Sequence, residues 1–291
     1  IKPGLVQIQI VNYVNWESTI TCIQSLKKQT YNSYRLIVIE NASPNDSVKH
    51  LREFDPDLSI LVSDANVGWG AGLNLAFFHH GFDTNPEFYL TLNSDVTLET
   101  DCLSKLVTTM KANPNCAAAA PIIYEDAHQK ANNNVGFNLS YKYLLPLDIS
   151  KVIDNHKKWV NKGTRKVSWV SDTVALMRKS AIYKVGGYDE QYFMYGQMTD
   201  MGYRLKKQGY DFIVNYKAVA YHKGKGSSGE KLSEFSLYYK LRNWCIFQRK
   251  NFGKNHTPYI LLWSLTVLIL YTAKVVLQGE STLFGSIFRG I

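Results

Sequence analysis

The sequence predicts an α/β protein built on a largely parallel sheet, and three observations lead there. Short apolar runs alternate with segments of helical periodicity through the N-terminal third. Polar turns follow several of those runs, at the ends where a parallel sheet gathers its ligands. The chain has 291 residues, 45% of them hydrophobic, enough for one large α/β domain or two modest ones.

The elements follow in order. Gly4–Val11 is a strand, with Val6, Ile8 and Ile10 marking one face, and Ser18–Thr30 carries Ile20, Ile23 and Leu26 at helical spacing. Tyr34–Glu40 is a near-continuous apolar run closed by the turn Asn41-Ala42-Ser43-Pro44-Asn45-Asp46. A helix over Ser47–Phe54 and a short strand over Leu58–Val62 come next. Gly68–His80 starts glycine-rich and turns helical, and Glu87–Leu92 is a strand ending in Asn93-Ser94-Asp95.

The second half is less regular. Asn115–Asp148 reads as irregular, Lys166–Arg178 as a strand, and Ser180–Val185 as a short helix closed by Gly186-Gly187. Thr199–Gln208 is a helix, Phe212–Tyr221 a strand, Gly224–Gly229 a flexible loop and Leu232–Lys250 a helix. Tyr259–Leu277 is strongly apolar, broken only by Ser264, Thr266, Thr272 and Lys274. Its length allows a membrane span, whereas the interruptions and the rings of Trp263 and Tyr271 equally suit an interfacial helix. A core or dimer helix is the plain alternative; the positive charge favours membrane contact.

Lys and Arg exceed Asp and Glu by 33 to 24, a net charge of +9 that points to an anionic partner. Nucleic acid is the weakest such partner. The basic residues are dispersed, with modest clusters near Lys157–Lys166 and Arg204–Lys207 and no accompanying binding signature. Cys22, Cys102, Cys116 and Cys245 form no CxxC pair, as expected of buried thiols in a reducing compartment. No signal-peptide pattern opens the sequence, and it starts at Ile1 rather than Met, as a trimmed or partial sequence would.

Three polar turns fall at expected strand ends: Asn12-Tyr13, Glu40-Asn41 and Asn93-Ser94-Asp95. A carboxylate there can hold a hard divalent cation when substrate phosphates complete the shell. Such an ion neutralises charge on a departing diphosphate. Read alone, Asn-x-Asp after a strand is more often turn chemistry. Asn66-Val67-Gly68-Trp69-Gly70-Ala71-Gly72 lets backbone approach a phosphate or sugar, or else packs a helix tightly on a sheet. It is neither a P-loop nor a GxGxxG fingerprint. His79-His80 reads as solvated helix-end chemistry, since no partner carboxylates for a zinc site are evident.

The ordered set of motifs is more specific than any member. Val11-Asn12-Tyr13, Glu40-Asn41-Ala42-Ser43, Asn66 to Asn74 and Leu92-Asn93-Ser94-Asp95-Val96 are followed by Trp169-Val170-Ser171, Val185-Gly186-Gly187-Tyr188-Asp189-Glu190 and Phe193-Met194-Tyr195-Gly196. Over residues 5–250 this resembles family 2 glycosyltransferases of the GT-A fold, particularly the bacterial rhamnosyltransferase-like branch. The resemblance implies a GT-A, Rossmann-like domain over 1–250, with a nucleotide-sugar half (1–113) and an acceptor-binding half (114–250). An apolar, membrane-associated helical tail over 251–291 completes the organisation.

It further implies that Asn12 and Tyr13 lie beside the nucleotide and that Asn41 contacts the base. Glu40 stands where the family commonly has Asp, which lengthens its contact. Asn66, Gly68 and Asn74 shape the diphosphate and sugar pocket. Asn93 and Asp95 occupy the metal-and-phosphate motif, and His222 matches a position that adds a metal ligand. Imidazole suits Mn²⁺ better than Mg²⁺ while excluding neither.

The family carries Glu-Asp after Tyr-Gly, a carboxylate that deprotonates the acceptor hydroxyl. Here Gln197-Met198 stand at those positions, followed by Thr199-Asp200, so the catalytic positions have lost their expected base. Three explanations stay open. The chain is inactive by divergence or substitution; Asp200 or Asp172 serves instead, Asp200 being the better candidate for supporting the fold near Arg204; or acceptor deprotonation is late and water-assisted.

The resemblance thus implies an inverting transferase moving rhamnose from a dTDP- or UDP-linked donor to a glycan or lipid-linked glycan acceptor. It would act at the cytoplasmic face of the cell membrane, in making a bacterial surface polysaccharide. The alternative is a degenerate relative that binds or scaffolds without turnover. A nucleotidyltransferase would need a basic triphosphate loop that Asn12–Ser18 does not offer. Softer candidates are Trp169 and Tyr195 as stacking platforms for a sugar, and Arg242 as a phosphate or surface-pairing cation.

Overall fold

Lys2–Asn12 forms β1, and from Val6 onward every residue is buried on both faces. Gln7 and Gln9 are buried alongside Val6, Ile8 and Ile10, the mark of a central parallel strand covered on both sides. The structure is a computed structural model that describes residues 1–79, 85–125, 130–131, 136–137, 163–223, 233–278 and 289–290. The loop Gly224–Gly229, His80, Lys157–Lys162 and most of Asn115–Asp148 lie outside these residues.

The N-terminal half runs α1 (Trp16–Leu26), β2 (Tyr34–Glu40), α2 (Ser47–Phe54), β3 (Ser59–Val62), α3 (Trp69–Phe77), β4 (Pro86–Asn93), β5 (Val96–Leu98) and α4 (Cys102–Ala112). It continues with β6 (Cys116–Glu125), the short β7 (Lys130–Ala131) and β8 (Gly136–Phe137), then β9 (Thr164–Val167), β10 (Trp169–Val170) and β11 (Val174–Arg178). Then come α5 (Lys179–Val185), α6 (Gln197–Lys207), β12 (Asp211–His222), α7 (Glu234–Phe252) and α8 (Thr257–Gln278).

The main sheet runs β3-β2-β1-β4-β11-β6-β12-β5, with β7 beside β6 and β9 beside β12, while β10 pairs β8 separately. Strands β3, β2, β1 and β4 are parallel neighbours, and β11 enters antiparallel between β4 and β6. The expected α/β sheet is therefore present, and both halves of the chain contribute to it.

Two sequence expectations are corrected. Cys116–Glu125, inside the stretch read as irregular, is a buried sheet strand. Its run Ala117–Ala120 has weak strand propensity, and the small side chains sit under α4, which the sequence reading left unassigned. Lys166–Arg178, read as one strand, is three. A bend at Ser168 and a turn at Ser171–Thr173 separate β9, which pairs β12, from β11, which pairs β4.

A second, smaller core gathers Tyr192, Leu237, Leu241, Trp244, Phe247 and Trp263, fastening α7 and α8 to the domain. Trp263 meets Trp244 at 5.4 Å between ring centroids. Among the described residues no helix is long and apolar enough to cross a membrane, so the spanning option for α8 is not supported. The four cysteines are unbonded, and burial pushes the thiols of Cys22, Cys102 and Cys116 far up, leaving them inert.

Candidate active site

The parallel register aligns the polar turns. Asn12 lies opposite Glu40 across β1 and β2, and Val11 opposite Asn93 across β1 and β4. All three turns therefore open on one rim of the sheet. Asn12 donates from Nδ2 to Glu40 Oε2 at 2.5 Å and accepts from Thr19 Oγ1 at 2.7 Å. Glu40 Oε1 accepts from the Ser43 amide at 2.8 Å. The extra methylene over Asp thus carries this carboxylate into a latch between the β1 and β2 loops.

Asn41 extends the latch. Its Oδ1 accepts from Val67 N at 3.1 Å, and its Nδ2 donates to Asn66 Oδ1 at 2.9 Å and Gly68 O at 3.3 Å. Asn66 Oδ1 also accepts from Gly68 N at 3.0 Å. Of the first turn, the Tyr13 ring is the group left open, 39% exposed. Val14, Ala42 and Tyr195 hold positive φ of 58°, 56° and 64° in the loops here, backbone strain of the kind that collects at functional sites.

Gly68 is required where it stands. Its φ is +85°, and a Cβ would lie 2.2 Å from the Phe193 carbonyl oxygen. That oxygen accepts from Trp69 N at 3.1 Å, so the glycine segment is pressed against Phe193-Met194-Tyr195-Gly196. Asn74 is turned inward. Its Oδ1 accepts from Tyr188 N at 2.9 Å and its Nδ2 donates to Tyr188 O at 2.8 Å. The resemblance has Asn74 shaping the diphosphate and sugar pocket; in the structure its side chain clamps the loop after α5.

Asn93 closes β4 and donates from its backbone N to Thr173 O at 3.1 Å. Beyond it, β5 runs antiparallel to β12 with His222 opposite Val96. That pairing sets His222 Nε2 3.1 Å from Asp95 Oδ1, both side chains mostly buried. An octahedral divalent ion holds neighbouring ligands about 3 Å apart when its bonds are roughly 2.1 Å. One carboxylate and one imidazole at this spacing therefore suit Mn²⁺ or Mg²⁺. Among the described residues no group of three His, Cys, Asp or Glu side chains adds to them, so phosphate and water oxygens would fill the shell.

The start of α6 is less conventional. Gln197 and Met198 open α6 and both are buried. Met198 belongs to the core, with its sulfur 3.9 Å from the Tyr188 hydroxyl that also reaches Met177 Sδ at 3.8 Å. It is a packing residue and carries no proton chemistry. Asp200 is 1% exposed, and it accepts from Arg204 Nε at 2.7 Å and Asn251 Nδ2 at 3.1 Å. Arg204 donates in turn to Val185 O at 2.6 Å and Gly187 O at 2.8 Å. Asp200 therefore braces α6 against the loop after α5, with both oxygens engaged.

Asp172 differs. It sits half-buried on the turn before β11, and burial pushes its carboxyl up to about 6, against the lowering effect of its own backbone amide and of the Gln197 side chain. Sequence reasoning named Asp172 without grounds to prefer it. The available signal was three polar residues, Ser171-Asp172-Thr173, interrupting an apolar run. Trp169 is core, Tyr195 lies under Lys240 Nζ at 5.1 Å, and Arg242 donates to Gln191 O at 3.0 Å.

Residues 8–186, more than half of the chain, match the family described as "Glycosyl transferase family 2". An N-acetylglucosaminyl-diphospho-decaprenol L-rhamnosyltransferase of Mycobacterium tuberculosis, in strains CDC 1551 / Oshkosh and ATCC 25618 / H37Rv, is 24% identical over 234 residues. The match covers 75% of this chain and 76% of that protein. Among solved structures, GalNAc-T7 with UDP, GalNAc and Mn²⁺ superposes with a TM-score of 0.63 at 11% identity. That superposition covers 84% of this chain and 47% of the other, so the chain spans about half the length of that protein. The mannosyltransferase PcManGT from Pyrobaculum calidifontis, in complex with GDP-Man and Mn²⁺, gives a TM-score of 0.57 at 13% identity, covering 98% and 85%. At these identities the two structures show a shared fold.

Proposed function

The chain belongs to glycosyl transferase family 2, and from that premise we propose that it is an inverting, metal-dependent enzyme that glycosylates a lipid-linked glycan. The sugar comes from a dTDP- or UDP-linked donor, with rhamnose the sugar named in the mycobacterial relatives. The observation carrying this reading is the Asp95–His222 pair at 3.1 Å on the rim where the parallel strands end. Asp95 and His222 would hold Mn²⁺ or Mg²⁺, which when bound neutralises charge on the departing nucleoside diphosphate. Tyr13 offers its exposed ring to the base. Asn12, Glu40, Asn41, Asn66 and Gly68 fix the loops around the nucleotide, Asn74 anchors the loop behind them, and Asn93 holds the Ser171–Thr173 turn over the diphosphate.

Residues 1–113 would serve the donor and 114–250 the acceptor, with 251–291 as a membrane-surface tail. Support for the tail comes from Leu261, Leu262, Leu265 and Ile269, each more than half exposed. At 100° per residue they span about a 100° arc, opposite the buried Trp263. An apolar stripe on a chain of charge +9 suits an anionic inner membrane surface, where a lipid-linked acceptor would be presented. The test is calorimetric titration of UDP and dTDP with and without Mn²⁺, followed by transfer assays over a donor panel. Nucleotide binding indifferent to both the metal and the Asp95–His222 pair would overturn the reading.

A second reading, a relative that binds donor without turnover, is favoured by Met198 being buried core where the family carries an acid. Binding without transfer or donor hydrolysis separates it from the first.

A further inference from the structure

Resting on the transferase reading above, we infer that Asp172 is the general base of the transfer, a carboxylate relocated from the start of α6 to the turn before β11. The first support is positional. Gln197, at the place where the family carries Glu, opens α6, and the turn that holds Asp172 is tied to the end of β4, where Thr173 O accepts from Asn93 N at 3.1 Å. α6 packs against β10, the strand that leads into the Asp172 turn, which brings the two residues into one neighbourhood.

The second support is the state of Gln197 itself. It is 5% exposed, and its Oε1 is buried without a partner. Turning its NH₂ toward Asp172 leaves that oxygen as an acceptor for a hydroxyl entering beside the carboxylate. A buried polar oxygen left open is costly, and a neighbouring, non-reacting hydroxyl of the acceptor sugar would fill the role while the reacting one donates to Asp172.

The third support is electrostatic. A Glu at position 197 would set two carboxylates side by side in a partly desolvated place, where one must take up a proton. With Gln the site holds one carboxylate, and its proton affinity is poised for base chemistry. Gln197 and Asp172 thus read as a matched pair: the charge has been moved rather than lost. Among the described residues Tyr188, from the loop after α5, also faces Asp172; burial and then the Asp172 charge keep its phenol neutral. Asp200, by contrast, has both oxygens committed to Arg204 and Asn251.

Position relative to the donor completes the case. Thr173 O accepts from Asn93 N at 3.1 Å, tying the Asp172 turn to the strand end that leads to Asp95. In the step itself, the acceptor hydroxyl gives its proton to an Asp172 oxygen. The hydroxyl oxygen's electron pair forms the new bond to the anomeric carbon. The bond from that carbon to the diphosphate oxygen breaks, its pair leaves with the nucleoside diphosphate, and configuration inverts. The proton on Asp172 then passes to solvent.

The experiment uses the full chain with dTDP-rhamnose, UDP-glucose, UDP-galactose and UDP-N-acetylglucosamine as donors and a short-chain polyprenyl-diphospho-N-acetylglucosamine as acceptor. Transfer and donor hydrolysis are both read, with UDP–Mn²⁺ calorimetry as the measure of an intact donor site. Asp172→Asn should lower kcat by about 10²–10⁴-fold with UDP–Mn²⁺ affinity unchanged. Gln197→Glu with Met198→Asp should lower activity below that of the wild type. If Asp172→Asn keeps kcat within about threefold, the base assignment falls while the transferase reading stands. If the wild type neither transfers nor hydrolyses yet binds UDP–Mn²⁺, turnover itself is overturned and the base with it. If the Gln197→Glu, Met198→Asp chain alone becomes active, the relocated-base proposal fails and the chain is an inactivated form.

Discussion

Nε2 of His222 stands 3.1 Å from Oδ1 of Asp95 because β5 and β12 are antiparallel neighbours that place His222 opposite Val96. Two residues far apart in sequence thereby meet where β4 ends. On the proposed reading, removing either side chain would leave one to hold the ion. Asp95→Asn and His222→Ala are each expected to weaken Mn²⁺-dependent UDP binding at least about tenfold, given that even outer-shell changes cost that much. Calorimetry at fixed nucleotide, titrating Mn²⁺, checks this. Equal Mn²⁺ dependence in wild type and variants would refute the site.

Gly68→Ala should destabilise the fold rather than merely impair binding. The new Cβ would meet the Phe193 carbonyl at 2.2 Å in a backbone of φ +85°. Either the glycine loop or the Phe193–Gly196 segment must move. A loss of about 2–4 kcal/mol is expected in urea unfolding, and a loss below about 0.5 kcal/mol would show that the contact relaxes freely.

Asp200→Asn tests the brace. It removes the buried partner of Arg204, which also fastens the carbonyls of Val185 and Gly187. Unfolding should cost about 2–3 kcal/mol less than in the wild type. Activity per folded molecule should stay within a few-fold, and a loss of kcat at full folding would make Asp200 the base after all.

Asp172 predicts a pH dependence of stability with a definite sign. Its carboxyl is pushed up to about 6 in the fold by burial, whereas an unfolded Asp titrates near roughly 4. Folding therefore takes up a proton between those values, and stability falls as pH rises through that window. Above about 6 the ionised carboxyl opposes folding in full. Asp172→Asn should flatten the window, as seen by urea midpoints at acid and neutral pH. In the wild type, kcat/KM for the acceptor should rise through about pH 6 as the base deprotonates.

The outer face of α8 is expected to bind vesicles. Leu262→Ser with Leu265→Ser removes two of its exposed apolar side chains without touching Trp263, which packs inward on Trp244. Co-sedimentation with phosphatidylserine–phosphatidylcholine vesicles should weaken at least about tenfold. Unchanged sedimentation would remove α8 from the membrane reading.

Much of the fold was legible from pattern alone. Tyr34–Glu40 and Ser47–Phe54 occupy the spans that their periodicity and bounding turns predict. What escaped were elements whose sequence does not advertise their environment. Ala117–Ala120 becomes a strand because β11 and β12 flank it and α4 covers it, a tertiary cause with no local trace. Lys166–Arg178 reads as one strand in the sequence, although Ser171-Asp172-Thr173 turns the chain between two separate pairings.

The same division runs through the site. The order of turns, Asn12, Glu40-Asn41, Asn66–Asn74 and Asn93-Ser94-Asp95, points to the fold and to a shared rim of polar turns, because a parallel sheet must gather its strand ends at one edge. The absence of an acid at Gln197 and Met198 was equally plain in the sequence. Which carboxylate is engaged and which is open was not, since that depends on residues distant in the chain. Asp200 is consumed because Arg204 and Asn251 reach it, while Asp172 sits on a turn that Thr173 ties to Asn93. Side-chain pairing across elements is a property of packing, and only the tertiary structure sets it.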